Sequence, residues 1–221
     1  MKKKIFIIIL VIILISVGLF YFFSKNNYKI AEFGNNTIKS SDDIKQYILN
    51  LKSYQAEINV EISSNKNKNQ YKIKQEFVEP NVFKQEIIEP NSIKGLVTLY
   101  DGNTLRIENS NMNLSKIYEN YPYITENTLC LYDFIQNYKK NNKQKLEETK
   151  NEIIMQVEND SKYYTYQKLY IDKHTKKPSK MEITDKNKKM LVYILYNEIK
   201  MNSINKEEIL AFKLKEETKD I

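Results

Sequence analysis

The chain contains few of the residue types that build reactive or cross-linked sites. Its 221 residues include one cysteine, one histidine, four glycines, four prolines and no tryptophan. Cys130 alone cannot form an internal disulfide or a thiolate zinc site. His174 alone is a poor basis for a metal site or a Ser-His relay, and so few glycines cannot build a phosphate-binding loop. We therefore expect no enzyme activity, no metal and no cofactor.

Adjacent carboxylates are the remaining candidates for acid-base chemistry. They lie in charge-rich stretches, whereas general acid-base catalysis needs a carboxyl group whose environment shifts its pKa. The pairs are Asp42 with Asp43, Glu147 with Glu148, Glu207 with Glu208, and Glu216 with Glu217. All four are better interpreted as solvated surface.

The beginning of the chain contains a long hydrophobic run. Residues 5–23 are uncharged and mostly apolar, and they directly follow three lysines. As a helix this run extends about 28 Å, close to the bilayer's hydrocarbon core of about 30 Å. The lysines favour a cytoplasmic amino terminus. We expect a single-pass membrane protein, with a cytoplasmic stub and transmembrane anchor at 1–24, a tether at 25–39 and an extracytoplasmic domain at 40–221.

A cleaved signal peptide is the alternative for this segment. The apolar stretch of a signal peptide is usually about 7 to 15 residues long and ends in small residues. Here the run ends in Phe20, Tyr21, Phe22 and Phe23. Aromatic side chains favour the membrane interface, so retention as a signal anchor is the expectation.

The charge of the domain is mild. The formal net charge is +7, and the three lysines before the apolar run account for three, leaving about +4. Lysine and glutamate are mixed along most segments, which is typical of solvated faces. Tyrosines in residues 162–170 could stack on bases, but alternating tyrosines are common in sheets. We expect no nucleic-acid partner.

The hydrophobic spacing changes early in the domain from helical to strand-like. Ser40 or Ser41 is placed to cap a helix with two aspartates in its first turn and apolar residues at helical spacing through Leu51. Alternate residues from Tyr54 to Ile62 are then apolar, which predicts a half-buried strand. Turn signals at 65–69, 79–81, 89–91 and 101–103 divide the next stretch into five or six consecutive antiparallel strands.

The second half of the domain is also predicted to be rich in strands. Residues 109–127 are expected to be a loop, and a helix is expected over about 129–140 with Cys130 buried in it. Residues 141–151 are expected to be a charged connection. Strands are predicted at 153–157, 163–171, 180–184 and 191–199, with Phe212 and Leu214 in a last short strand.

Motifs in both halves resemble a known superfamily. They are Tyr54-x-Ala56-x-Ile58, Lys74-Gln75-x-Phe77-x-x-Pro80, Tyr100-Asp101-Gly102, Leu169-x-Ile171-Asp172-x-x-Thr175-x-x-Pro178 and Lys180-Met181-Glu182-Ile183. Over about residues 40–214 this series resembles the LolA-like proteins. The resemblance implies an α+β fold whose large curved antiparallel sheet forms a half-open barrel with two or more helices, here preceded by one N-terminal transmembrane helix.

A narrower resemblance is to the GerS-type germination lipoproteins of spore-forming clostridia. It is carried by Tyr121-Pro122-Tyr123-Ile124 and Leu131-x-Asp133-Phe134-Ile135-x-x-Tyr138. Proteins of that type bind and support a cortex-modifying amidase during spore formation. This chain departs from them because it has no lipobox cysteine and carries a hydrophobic segment instead.

These observations give two hypotheses for function. The first is a membrane-anchored, non-catalytic envelope protein of sporulation or germination that binds and supports a partner enzyme, a spore cortex or other cell-wall amidase. Tyr54, Ile58, Tyr71 and Phe77 are predicted to form a cavity or partner face on the sheet, whose edge strands also offer pairing. The alternative is a carrier or sensor that binds a lipid or a lipoprotein acyl chain in that cavity.

Overall fold

The computed structural model describes residues 40–64, 66–122, 128–161 and 164–217. The chain divides into two compact units after Asp43, and the second unit is Ile44–Ile221. The predicted anchor at 1–24 and tether at 25–39 lie outside the described residues. Within the described ranges, no helix has both the length and the apolar content needed to cross a membrane.

The described residues form a mostly antiparallel β structure with three α-helices. The strands are β1 (Ser53–Ser63), β2 (Lys68–Val78), β3 (Val82–Glu89), β4 (Val97–Tyr100), β5 (Leu105–Asn109), β6 (Leu114–Tyr118), β7 (Gln144–Glu148), β8 (Glu152–Glu158), β9 (Tyr166–Asp172), β10 (Lys177–Thr184) and β11 (Met190–Met201). The helices are α1 (Ser41–Leu49), α2 (Leu131–Lys140) and α3 (Lys206–Glu217), with short 3-10 helices at Asn91–Ile93 and Ser110–Met112.

All eleven strands belong to one open antiparallel sheet. Their order is β6-β5-β4-β3-β2-β1-β11-β10-β9-β8-β7. The six strands of the first half form a meander, as do the five of the second half, and the β1–β11 pair joins the two. The first and last strands therefore meet in the middle of the sheet. The predicted α+β class and large antiparallel sheet are confirmed, and the sheet is not closed.

One face of the central strands, here called the apolar face, forms the core. Side chains alternate along a strand, so residues paired across the sheet point to the same side. The apolar face includes Tyr54, Ile58, Val60, Ile73, Phe77, Ile153, Met155, Leu169, Ile171, Met181, Ile183, Ile194 and Tyr196. Most of these side chains are fully buried, and each large one contributes about 1.5–3 kcal/mol through removal from water. This core holds the two meanders together.

The opposite face is mostly charged, as the alternating lysines and glutamates predicted. Ion pairs cross neighbouring strands there, such as Lys72 to Glu57 at 2.8 Å and Lys84 to Glu76 at 3.3 Å. Partly exposed pairs of this kind contribute little stability. Near the β2–β3 turn this face turns apolar, and Val82 and Leu99 pack there against Ile209 of α3.

Three parts of the sequence-based prediction are wrong. Residues 109–127, expected to be a loop, contain strand β6, and the charged connection at 141–151 contains strand β7. The segment with Phe212 and Leu214 belongs to helix α3 and not to a last strand. Both missed strands are short edge strands, each with one neighbouring strand among the described residues, and their own sequences show little apolar alternation.

Candidate functional site

The four residues predicted to form a cavity or partner face lie together on the apolar face of β1 and β2. Ile58 pairs with Ile73 and Tyr54 pairs with Phe77 across these strands. Tyr54, Ile58 and Phe77 are each 0% exposed, and Tyr71 is half-buried. Three of the four are therefore packed inside the protein beneath neighbouring side chains.

The first turn of helix α2 covers part of the apolar face of β1 and β2. The Tyr132 ring stacks on the Phe77 ring with centroids 4.1 Å apart, and Phe77 stacks on Tyr54 at 5.8 Å. Stacked aromatic pairs add to the stability that area burial gives. The aromatic column fixes the start of α2 against the sheet.

A buried polar cluster also connects the start of α2 to β1 and β2, through hydrogen bonds. The Tyr54 hydroxyl accepts the backbone N–H of Leu131 at 3.3 Å and donates to Gln75 Oε1 at 3.4 Å. Gln75 Nε2 in turn donates to the Leu129 carbonyl oxygen at 3.1 Å. Each of these buried groups is therefore satisfied, and the first turn of α2 is positioned over β1 and β2.

Cys130 belongs to this cluster, with its sulfur 3.3 Å from the Tyr54 oxygen. Burial raises the pKa of Cys130 from 9.0 to about 12, and the carboxylate of Asp133 acts in the same direction. Burial also raises the pKa values of the Tyr54 and Tyr196 hydroxyls. The thiol therefore stays protonated at neutral pH and is a poor nucleophile. The prediction that Cys130 is buried is confirmed.

A cleft that the sequence did not reveal lies between α2 and the β8–β9 turn. Its volume is about 560 Å³. Its lining includes Pro80, Thr128, Tyr132, Asp133, Gln136, Asn137, Lys140, Asn159, Asp160, Ser161, Tyr164 and Gln167. Helical spacing predicts which side chains of α2 share one face. It does not predict the other side of the cleft, which residues 159–167 form about 20 to 30 positions further along the chain.

The outer edge of β6 is a second feature of interest. Within the described residues β6 pairs only with β5, and Ile117 and Tyr118 are 50% and 46% exposed. Met112, just before the strand, is 53% exposed. The other edge strand, β7, has the sequence Gln-Lys-Leu-Glu-Glu, and charged side chains of this kind discourage strand pairing. The two edges of the sheet therefore differ in character.

The candidates for reactive chemistry remain scattered. His174 is exposed in the turn between β9 and β10, where Asp172 accepts the backbone N–H of Thr175 at 2.6 Å. That hydrogen bond lowers the pKa of Asp172. Among the described residues no three His, Cys, Asp or Glu side chains are grouped to hold a metal ion. The turn geometry explains Asp172 and Thr175 as local structure.

Comparison with solved structures finds proteins with a similar arrangement at low sequence identity. A conserved protein of Thermus thermophilus is 14% identical, with a TM-score of 0.48 over 77% of this chain and 93% of that chain. A LolA superfamily protein from Nitrosomonas europaea is 9% identical, with a TM-score of 0.37 over 77% and 97%.

A further similar chain comes from the structure of the CwlD amidase of Clostridioides difficile in complex with the GerS lipoprotein. It is 23% identical, with a TM-score of 0.41 over 77% of this chain and 98% of that chain. Among curated proteins, no relative matches the sequence. The family of YdcC-like sporulation proteins matches residues 2–210, nearly the whole chain. This chain therefore belongs to the YdcC-like sporulation protein family.

Proposed function

We propose that this protein is a non-catalytic envelope protein of sporulation that holds a partner enzyme at the membrane surface. In this proposal residues 1–24 anchor the chain, with the lysines on the cytoplasmic side and the sheet on the outer side. The family match supports the link to sporulation. The apolar run and its lysines support the anchor and its orientation.

The observation that carries the proposal is the outer edge of β6, which has no strand partner among the described residues. A strand edge presents backbone N–H and C=O groups that an extended segment of another protein can pair with. Exposed apolar side chains at Met112, Ile117 and Tyr118 would add contacts on both sides of such a strand. β6 has one charged side chain, Lys116, whereas β7 has three, Lys145, Glu147 and Glu148, so the β6 edge is the better docking surface.

We assign the partner to the cell-wall amidases. The motifs in residues 121–138 resemble GerS-type proteins, and the GerS lipoprotein is found in complex with the CwlD amidase. An amidase of the same organism is therefore the partner to test first. Binding of a lipid or acyl chain on the apolar face has less support, because Tyr54, Ile58 and Phe77 are already covered by protein.

The experiment compares two lysine substitutions at exposed apolar positions. Ile117→Lys places a charge on the β6 edge, and Leu195→Lys places one on the outward side of the central strand β11, where Leu195 is 39% exposed. The full chain in lipid nanodiscs is titrated with the amidase, and binding is measured by biolayer interferometry. Ile117→Lys should weaken binding about tenfold or more, while Leu195→Lys should leave it unchanged.

Two results would contradict the proposal. If the unsubstituted protein binds no wall amidase, the partner class is wrong. If Ile117→Lys and Leu195→Lys bind as tightly as the unsubstituted protein, the β6 edge is not the docking surface.

A further inference from the structure

The cleft between α2 and the β8–β9 turn has a size and lining that the docking edge does not explain. Its volume of about 560 Å³ lies within the usual range for small-ligand sites, about 300–1,000 Å³. β8 and β9 lie near the β7 end of the sheet order, whereas the docking edge is β6 at the other end. The side of the cleft formed by β9 and the β8–β9 turn is therefore distant from the docking edge in the sheet order.

Three side-chain amides of the cleft are held in fixed orientations by one another. Asn137 Nδ2 donates to Asn159 Oδ1 at 2.8 Å and to Gln167 Oε1 at 3.0 Å. Asn159 Nδ2 donates to the carbonyl oxygen of Tyr164 at 3.3 Å. Asn141 adds a contact to Asn159 Oδ1 at 3.4 Å. These hydrogen bonds orient the polar side chains of the cleft wall without a ligand.

This network leaves one acceptor and one donor for a ligand. Both N–H groups of Asn137 are in use, and its Oδ1 has no hydrogen-bond partner among the described residues. Gln167 Nε2 likewise has no hydrogen-bond acceptor among the described residues, although Gln167 is only 7% exposed. An acceptor beside a donor is complementary to an acetamido group or to hydroxyl groups.

Aromatic rings border the same cleft. Tyr164 is 41% exposed, and Tyr132 is held in place by its stack on Phe77. An exposed ring beside hydrogen-bonding amides suits a ligand that has an apolar face and a polar rim. Sugar rings have this character, because their C–H groups lie on a face and their hydroxyl groups lie around the edge.

The charge of the cleft is small. Its described lining carries two acidic side chains, Asp133 and Asp160, and one basic side chain, Lys140, and Asp160 Oδ1 lies 2.9 Å from Nζ of Lys143 beside the cleft. This slight negative balance does not favour an anionic ligand. An acyl chain would leave the fixed amides without partners, which opposes its binding.

We propose that this cleft binds a glycan built of N-acetylated sugars. Tyr164 stacks on a sugar ring, while Asn137 and Gln167 bond its acetamido group. This site is independent of the proposed docking of an amidase at β6. A protein with both sites would hold the enzyme and the glycan at the same membrane surface.

The test uses the full chain in a detergent whose head group contains no sugar. The probes are the N-acetylglucosamine hexamer, maltohexaose as a glycan without acetamido groups, and palmitate as an acyl chain, each titrated by calorimetry. The expected result is binding of the N-acetylglucosamine hexamer alone. Equal binding of maltohexaose, stronger binding of palmitate, or no binding of the hexamer at millimolar concentration would overturn the proposal.

Two matched tyrosine variants locate the site. Tyr164→Ala should weaken binding of the hexamer about tenfold, and Tyr118→Ala on β6, with similar exposure, should not change it. Hydrogen exchange of residues 131–140 should slow when the hexamer is added to the unsubstituted protein. Unchanged affinity of Tyr164→Ala, or unchanged exchange, would overturn the assignment. Tyr118→Ala weakens amidase docking instead, so the two proposals fail separately.

Discussion

Single hydroxyl groups in the core differ sharply in their surroundings. The Tyr54 hydroxyl has hydrogen bonds to Leu131 and Gln75. The Tyr196 hydroxyl is buried and has no hydrogen-bond partner among the described residues. A buried polar group contributes to stability only when it is satisfied, so the same substitution should have different effects at the two positions.

Tyr54→Phe should lower the free energy of unfolding by about 1–3 kcal/mol, because the Leu131 N–H and the Gln75 carbonyl lose their partner. Tyr196→Phe should leave it within about 0.5 kcal/mol or raise it. Thermal unfolding followed by circular dichroism measures both, with about 2–4 °C of shift expected per kcal/mol. Equal shifts for the two variants would show that the Tyr54 hydrogen bonds have no special role.

At the residue scale the sequence predicted burial better than it predicted contacts. Cys130 was expected to be buried and unreactive, and its raised pKa agrees with that expectation. Tyr54, Ile58 and Phe77 were correctly placed on one face of adjacent strands. Whether that face is open or covered depends on α2, which begins more than 50 residues later in the sequence.

Helix ends show how a local signal defines an element. Ser40 Oγ accepts the backbone N–H of Asp43 at 3.1 Å, and Asp43 Oδ2 accepts the backbone N–H of Ser40 at 3.1 Å. This reciprocal pair satisfies two donors at the start of α1. Of the two serines that the sequence offered as the cap, Ser40 is confirmed.

Ser40→Ala should therefore destabilise α1, while Ser41→Ala serves as its control. Loss of a cap costs about 0.5–2 kcal/mol, whereas alanine within the first turn is favourable for a helix. Helical content and melting temperature from circular dichroism are the measurements. A larger effect at Ser41 than at Ser40 would contradict the assignment of the cap.

The sequence before helix α3 contains a signal for a helix start. The Asn205 side chain accepts the backbone N–H of Glu208 at 2.9 Å, and Glu207 and Glu208 lie in the first turn. An N-cap residue followed by acidic residues predicts a helix start. The prediction of a strand relied on the alternation of Phe212 with Leu214, which is too short to distinguish the two structures.

At the scale of the whole molecule, the sheet order places the most protected strands in the centre. β1 lies between β2 and β11, whereas β6 and β7 each have one neighbour among the described residues. Backbone groups with few buried contacts open most readily. The stability of the sheet should therefore decrease from its centre toward both edges.

Hydrogen exchange followed by mass spectrometry should show this gradient. Amides of β1, β2 and β11 should exchange slowest, and those of β6 and β7 fastest, because only the edge strands can separate from a single neighbour. Addition of the partner amidase should slow exchange in β6 and leave β7 unchanged. Uniform exchange across the sheet would contradict the stability gradient, and protection by the amidase that appears in β7 only would contradict the proposed docking edge.

The narrower resemblance, to GerS-type proteins, agrees with the family to which the chain belongs, since both point to sporulation. The residues that carry the broader resemblance to LolA-like proteins, such as Leu169, Ile171 and Met181, are buried on the apolar face. They report mainly on packing of the sheet. For this reason the motifs predicted the fold and the family more directly than they predicted a binding surface.

The local pattern of the sequence was sufficient to predict α1, α2, most strands and the meander of the first half. Alternation, helical spacing and turn residues act between neighbours in the chain, so they can be recognised without a structure. Only the tertiary structure decided four other features. They are the pairing of β1 with β11, the edge strands β6 and β7, the cover that α2 places over Phe77, and the cleft beside Asn137. Each of these brings together segments that are distant in sequence, and a local pattern does not specify which distant segment will satisfy a free edge or cover an apolar face.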